Sequence, residues 1–238
     1  MSRLPLSEAF DAPDAKRRYV RRLFGTIADR YDLITRFLSF GLDRGWKDRL
    51  VSLSGISPGS RVLDLACGTG DIAFEALRRG GHVTGLDVTP RMLTLAKAKP
   101  SGDAVAWLVG DMVTLPVASN TIDAVTTGYG LRNVPDLEAA LREIHRVLRP
   151  GGVACSLDFD RPSRSWIRVP YLAYLTAVGS VLGWVLHRDP DTYRYIPASI
   201  RRYPGARLVG DLMRDVGFRE VEVTPILGGL MAMHRFRK

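Results

Sequence analysis

Val62-Leu63-Asp64-Leu65-Ala66-Cys67-Gly68-Thr69-Gly70-Asp71 runs from a short apolar segment through a glycine-rich turn into a pattern of helical spacing. A buried strand that ends in Gly68-Thr69-Gly70 ahead of a helix leaves the backbone bare where a nucleotide-like ligand must approach closely. The alternation repeats outward from this point. Residues 61–66, 82–87, 104–109, 122–127 and 153–159 read as short buried strands, while 71–79, 90–98 and 136–148 carry apolar positions at helical spacing, as in Leu137, Leu141, Ile144 and Leu148. Such alternation with short connections predicts a doubly wound α/β fold. Its sheet is mostly parallel, its helices lie on both faces, and its ligand crevice opens at the carboxyl ends of the central strands.

The 238 residues, 46% hydrophobic and 25% charged, suit one decorated domain with a sizeable core and exclude disorder, collagen-like repeats and coiled coil. Its expected parts are an N-terminal helical cap (1–55), the ligand-binding core (56–160), an apolar helical insert (161–200), and a C-terminal helix with two strands (201–238) that bring the sheet to seven. In the cap, Leu23, Ile27, Tyr31 and Ile34 share a stripe, followed by a turn at Ser39-Phe40-Gly41 and a helix from about Asp43 to Leu53. In the insert, Val169 to Leu186 is uncharged and just long enough to span a bilayer. Pro170, Gly179 and Gly183 interrupt it, which favours a buried or interfacial helix pair over a span. Two cysteines, Cys67 and Cys155, cannot build a disulfide framework or a four-ligand zinc site, and no His/Cys/Asp spacing suggests a metal. No secretory signal opens the sequence, so cytoplasmic residence is expected. The net charge of +9 invites a nucleic-acid or anionic-membrane partner, but 29 Arg against 5 Lys also fits GC-rich coding, and the cations are scattered in short clusters.

Two cofactors use a glycine turn of this kind. Gly68-x-Gly70-x-x-Ala73 formally fits the dinucleotide fingerprint, so NAD competes with S-adenosylmethionine. The acids discriminate between them. Asp64 ends the first strand, Asp71 opens the helix, Asp87 ends the second strand where a carboxylate meets ribose hydroxyls, and Asp111 ends the third in Gly110-Asp111-Met112. Carboxylates beside the loop repel a pyrophosphate and attract a sulfonium and an ammonium, by on the order of 1 kcal/mol or more per contact. For any single acid, a helix cap or turn is the plainer reading.

Taken together, Asp64-x-x-x-Gly68-x-Gly70, Asp87, Gly110-Asp111 and Leu148-Arg149-Pro150-Gly151-Gly152 resemble the successive motifs of class I S-adenosylmethionine-dependent methyltransferases, which have a Rossmann-like fold. A narrower resemblance covers the chain from about residue 20. Arg30-Tyr31-Asp32 through Leu38-Ser39-Phe40-Gly41 to Arg44-x-Trp46-Lys47, then Gly130-Leu131-Arg132-Asn133-Val134, Asp191-x-Tyr193-Arg194-Tyr195-Ile196-x-x-Ser199-Ile200 and Gly228-Gly229-Leu230-x-Ala232-x-His234-Arg235 are similar to the ubiquinone/menaquinone biosynthesis C-methyltransferases. The chain departs from that pattern at Ile34-Thr35 (usually Met-Asn), Asp43 (usually His), Ala66 (usually Gly), Gly128 (often small and polar) and Asp158 (usually Glu).

The resemblance implies S-adenosyl-L-methionine as cofactor, held by Asp64, Gly68, Thr69, Gly70, Asp87, Asp111, Met112 and Gly128. It implies methylation of a ring carbon in a reduced demethylmenaquinol-like substrate, with the ubiquinone-pathway benzoquinol as alternative. Such a carbon becomes nucleophilic when the adjacent hydroxyl loses its proton. Arg132 is the candidate to stabilise the oxyanion and hold a water that takes the proton, with Asn133 orienting it. The plainer reading is that Arg132 and Asn133 cap the helix after Pro135. His145 on an apolar stripe reads as a core histidine, Cys67 as a small packing residue, and His187, Tyr193 and Tyr195 as candidate pocket lining. A lipophilic quinol requires transient contact with the membrane surface, which the apolar insert and its flanking arginines suit. Nucleic acid is not expected as a partner, because an RNA methyltransferase would replace Gly128-Tyr129-Gly130-Leu131 with an Asn-Pro-Pro-Tyr-type element. Self-association is left open.

Overall fold

The computed structural model describes residues 6, 8–39 and 41–238. Phe40 of the expected turn lies outside them. Seven strands, β1 (Arg61–Leu65), β2 (His82–Asp87), β3 (Ala106–Val109), β4 (Ile122–Gly128), β5 (Leu148–Phe159), β6 (Arg219–Ile226) and β7 (Met231–Arg237), form one sheet in the order β3-β2-β1-β4-β5-β7-β6. All neighbours are parallel except β7, which runs antiparallel to both β5 and β6. The order reverses between β1 and β4, with Asp64 beside Thr126 in register, so the crevice opens where their carboxyl ends diverge.

The helices are α1 (Pro13–Ile27), α2 (Tyr31–Leu38), α3 (Asp43–Leu53), α4 (Asp71–Arg78), α5 (Pro90–Lys97), α6 (Leu137–Val147), α7 (Ser165–His187), α8 (Asp191–Arg202) and α9 (Ala206–Val216). The central strands are apolar on both sides because both sides are covered. On one face Leu63, Leu65 and Val125 pack with Leu141 and Ile144 of α6 and Val209 and Met213 of α9. On the other, Val62 and Val83 pack with Leu50 and Val51 of α3 and Ile72, Ala73 and Ala76 of α4. Truncating a fully buried leucine such as Leu63 to alanine costs about 2–5 kcal/mol. Helix ends follow local chemistry: the Asp136 side chain accepts from the Ala139 N–H (2.9 Å) to start α6, and Gly217 at φ +111° stops α9.

The insert departs from the expected interrupted pair. Residues 165–187 form one continuous helix that runs through Pro170, Gly179 and Gly183, and α8 folds back along it. The glycines are contact points here and break nothing. A Cβ on Gly179 would lie 3.2 Å from the Tyr193 Cβ, and one on Gly183 would lie 2.4 Å from the Asp189 carbonyl oxygen, so only glycine lets α8 come this close. The opposite face of α7 carries Trp166, Val169, Val181, Trp184 and Val185, all more than half exposed. With this composition and 23 residues, α7 is long and apolar enough to cross a bilayer.

Candidate active site

The glycine turn leaves β1 through a run of left-handed conformations, Ala66 (φ +50°), Gly68 (φ +54°) and Gly70 (φ +89°), which lift the chain over the end of the sheet before α4 begins. Ala66 adopts, with a Cβ, a conformation that glycine takes without penalty. Gly70 must lack one: a Cβ there would meet the Trp107 and Phe74 rings at 2.8 and 2.9 Å. Beside this turn a cavity of about 700 Å³, including its open mouth, lies over the carboxyl ends of β1, β2 and β4. Of the expected cofactor residues, Gly68, Asp87, Asp111, Met112 and Gly128 line it. Asp64, Thr69 and Gly70 do not.

The acids divide into two kinds. The two oxygens of Asp87 accept from the Gly68 N–H (2.9 Å) and the Thr89 N–H (2.7 Å), and burial pushes its pKa up. Asp64 is fully buried; one oxygen accepts from the Thr126 hydroxyl (2.8 Å), while Oδ2 has no hydrogen-bond partner. Burial, the largest influence, raises the Asp64 pKa to about 7 against the opposing Thr126 bond and Lys47 charge. The other two acids are ion-paired within the chain. Asp71 meets Lys47 at 2.9 Å and Lys99 at 3.3 Å, and these ammoniums hold its carboxyl low although burial alone would raise it. Asp111 accepts from Arg17 of α1 (2.8 Å) and from the Val113 N–H (3.1 Å). Of the four acids, Asp87 is the one that lines the cavity without an ion pair among the described residues, a narrower source of negative charge than four open acids.

α1 closes the cavity from above. Besides Arg17, its Lys16 donates to the backbone carbonyls of Arg132 (3.0 Å) and Val134 (2.6 Å), and burial followed by the Arg132 charge lowers the Lys16 pKa to about 8. The cap is thereby tied to the end of β3 and to the loop after β4.

A second cavity adjoins the first and is larger, about 1390 Å³ with its mouth, and overwhelmingly apolar. Its walls come from α1 to α3, the end of β5, α7, α8 and the turn between β6 and β7. Phe24, Tyr31, Tyr129 and Asn133 line both cavities. Arg132 is the charged group in its wall and is 5% exposed. Its Nε donates to Asp158 Oδ1 (3.1 Å), its backbone N–H to Asp158 Oδ2 (3.0 Å), and its Nη1 to the Ser199 hydroxyl. The guanidinium also lies 5.3 Å from the Phe159 ring centre. Burial raises the Asp158 pKa, opposed by Arg132. Asn133 makes a different set of bonds from the one expected: it donates to the Tyr129 carbonyl (2.7 Å) and accepts from the Tyr195 hydroxyl (3.1 Å), while Asp158 and Ser199 orient Arg132. Neither residue caps α6, which Asp136 does.

The family model of the ubiE/COQ5 methyltransferase family matches residues 12–238. The chain belongs to this family. The ubiquinone/menaquinone biosynthesis C-methyltransferase UbiE of Cereibacter sphaeroides is 36% identical over 225 residues, covering 92% of this chain and 90% of that one. The same-named protein of a Shewanella species (strain ANA-3) is 35% identical over 229 residues, covering 93% and 91%. Among solved structures, a Thermotoga maritima methyltransferase described as a possible histamine N-methyltransferase superposes with a TM-score of 0.67 at 21% identity, covering 92% of this chain and 99% of that one. The [4+2]-cyclase SpnF does so at 0.55 and 22%, covering 82% and 81%. These likenesses are of fold. As a member of the family the chain is a methyltransferase, and S-adenosylmethionine is its cofactor.

The first cavity fits that group. Gly68 presents bare backbone to the cavity and Asp87 a carboxylate, and the fully buried Asp64, at the end of the strand beneath, keeps an unpartnered Oδ2. Sequence reasoning missed the residues that assemble from afar. Tyr129 holds a left-handed backbone (φ +61°), and its hydroxyl donates to Asp43 at 2.6 Å. Lys47 bridges Asp43 (2.5 Å) and Asp71 (2.9 Å), joining the second cavity to the cofactor loop. The advance signals were Lys47, within the Arg44-x-Trp46-Lys47 stretch of the resemblance, and Asp43, a departure from the family pattern.

Proposed function

We propose that this methyltransferase acts on a ring carbon of a reduced polyprenyl quinone precursor, converting demethylmenaquinol to menaquinol in quinone biosynthesis. The observation that carries this reading is the large apolar cavity that shares a wall with the cofactor cavity and has Arg132 set into it. Its lining of Phe159, Tyr171, Tyr174, Tyr193, Tyr195 and Trp46 suits a flat bicyclic ring with an isoprenoid tail. The names of the UbiE relatives support the same substrate class. When bound, S-adenosylmethionine supplies a methyl group already activated on a sulfonium. Asp87 is assigned to the ribose hydroxyls, Asp64 to the ammonium and Asp111 with Met112 to the adenine end, with Gly68, Thr69, Gly70 and Gly128 shaping the turn around them. Arg132 faces the oxyanion that forms when a ring hydroxyl loses its proton, at a position where water is largely excluded.

The outer face of α7 is assigned to an anionic membrane surface, which places the protein at the cytoplasmic side of a bilayer. Trp166, Val169, Val181, Trp184 and Val185 present the apolar stripe, and exposed Arg161, Arg164 and Arg188 flank its ends on a chain of net charge +9. Tyr174, on the same helix, is 47% exposed and also lines the apolar cavity, so the stripe is continuous with the route a prenyl tail would take.

The test is methyl transfer from labelled S-adenosylmethionine to reduced 2-polyprenyl-1,4-naphthoquinol, beside the benzoquinol analogue and bulk RNA, with the methylated position read by mass spectrometry. Ring-carbon methylation of the naphthoquinol is expected. Methylation of the benzoquinol alone refutes the naphthoquinol assignment, and a labelled RNA refutes the quinol class. Arg132→Ala lowers kcat with S-adenosylmethionine affinity unchanged; unchanged turnover removes Arg132 from the reaction.

A further inference from the structure

The Tyr129 hydroxyl donates to Asp43 at 2.6 Å, and among the described hydrogen bonds its oxygen accepts none. The Tyr129 ring stands in the wall between the two cavities, where acceptor and methyl donor must meet. It lies 5.5 Å from the Phe159 ring, the same ring over which Arg132 sits at 5.3 Å, so Tyr129 and Arg132 front one corner of the acceptor cavity. A tyrosine at φ +61° carries a backbone penalty that glycine avoids, and side chains retained in such conformations cluster at functional sites. Asp43 stands one layer behind, 7% exposed, with its second oxygen 2.5 Å from Lys47.

We propose that Tyr129 and Asp43 form a proton relay that acts as the base of the methyl-transfer reaction, with Tyr129 touching the acceptor hydroxyl and Asp43 acting through it. The proposal rests on the quinol reading given above. In the forward step the acceptor O–H bond breaks and its proton goes to the Tyr129 oxygen, as the tyrosine's own proton passes to Asp43 Oδ1. Tyr129 ends neutral, Asp43 becomes a neutral acid, and the negative charge moves to the acceptor oxygen, where Arg132 faces it. Once the ring carbon is methylated, the relay runs backward and returns the proton to that oxygen while the ring C–H proton leaves to water. Asp43 is again ionised, and one proton is released per methyl transferred.

The surroundings favour a relay over a free tyrosinate. Burial and then the Asp43 charge push the Tyr129 pKa well above its usual value, so the phenol does not ionise by itself and must hand its proton on as it takes another. The groups facing this pair are Lys47 on α3, Asp71 on α4, Tyr31 on α2 and, beside Phe159, Arg132 and Asp158. Lys47 stays charged because Asp71 and Asp43 outweigh the burial that would neutralise it, and Asp43 is the carboxylate bonded to the Tyr129 hydroxyl.

The experiment compares full-length wild type with Tyr129→Phe, Asp43→Asn and Asp43→His in the quinol assay from about pH 5 to 10, with S-adenosylmethionine affinity and melting temperature recorded for each. Tyr129→Phe deletes one hydroxyl and keeps the ring, so it serves even where Asp43→Asn weakens the Lys47 cluster. The expected result for Tyr129→Phe and Asp43→Asn is a fall in kcat of about 10²-fold at neutral pH with little change in KM. That fall shrinks as pH rises toward the acceptor's own ionisation near about 10 for a phenol. Asp43→His stays active, with the acid limb of its kcat profile moved upward, because an imidazole holds its proton to higher pH than a carboxylate does. Unchanged kcat in Tyr129→Phe, a loss equal at every pH, or an unmoved acid limb in Asp43→His overturns the relay while leaving the quinol reading intact. A wild type that methylates neither quinol overturns both.

Discussion

Replacing Arg132 with methionine tests whether Asp158 is held in place by charge. Asp158 is 4% exposed and receives three donors, the Arg132 Nε (3.1 Å), the Arg132 N–H (3.0 Å) and the Phe159 N–H (2.8 Å). Arg132→Met keeps both backbone donors and deletes the bonded cation. Breaking a buried pair from one side leaves an uncompensated charge and costs about 3–5 kcal/mol. For a chain of this length that is a drop in Tm of about 6–20 °C at about 2–4 °C per kcal/mol. Adding Asp158→Asn removes the stranded charge while retaining an acceptor oxygen, so the double variant regains about 1–3 kcal/mol over Arg132→Met. The sign with pH follows from the raised Asp158 pKa, which loss of Arg132 raises further. A carboxyl that is harder to ionise folded than unfolded favours the fold most below the unfolded value of about 3.9, and the advantage is lost as pH rises through the folded value. The deficit of Arg132→Met is therefore smaller at pH 5 than at pH 8. Urea unfolding followed by tryptophan fluorescence at both pH values, with common m-values, gives all four corners of the cycle. A double variant no more stable than Arg132→Met would falsify the stranded-charge account, and the role given to Arg132 in the cavity would then have to stand without Asp158.

Three further outcomes are expected. Asp64, with a pKa of about 7 in the free protein, must ionise to receive an ammonium, so S-adenosylmethionine affinity rises with pH through about 7 and levels above it; calorimetry in buffers of different ionisation heat should show proton release on binding at pH 6.5, absent in Asp64→Asn. Ala66→Gly relieves a left-handed alanine at φ +50° worth about 1–2 kcal/mol, less the chain entropy of glycine of about 0.5–1 kcal/mol, so Tm should rise slightly; a lower Tm would show that the Ala66 methyl is needed for packing. The protein should sediment with anionic vesicles at low salt and release at high salt, with Trp166 and Trp184 fluorescence shifting to the blue; Trp184→Ser with unaltered sedimentation would move the contact off α7.

Local pattern was enough for the core. The strand at 61–66, the glycine turn and the acids at strand ends are set by residues within ten positions of each other, and each appears in the structure within a residue or two of its expected place. Two kinds of information were not local. The charge of Asp71 looked available until Lys47 and Lys99, 24 and 28 residues away, closed on it. Gly179 and Gly183 looked like breaks in a helix until α8 lay against them, because a glycine at a close crossing and a glycine at a turn read alike along the chain.

The division between what was legible and what was not follows the division of labour in the molecule. The sheet and its turn are shared in fold with an enzyme named for N-methylation and with one named for cyclisation, at 21% and 22% identity, so that scaffold cannot by itself choose the acceptor. The second cavity, walled by α1 to α3, α7 and α8, is where that choice must reside. It is built from segments as distant as Leu23 and Met231, and no periodicity links them. Among the described residues the two cavities share Phe24, Tyr31, Tyr129 and Asn133, so the transferred carbon crosses beside these side chains. A substitution that reshapes this junction, such as Phe24→Ala, should alter cofactor and acceptor binding together, whereas one deeper in the second cavity, such as Tyr193→Phe, should alter acceptor KM alone. Equal effects of Tyr193→Phe on S-adenosylmethionine affinity and acceptor KM would mean that the two cavities work as one.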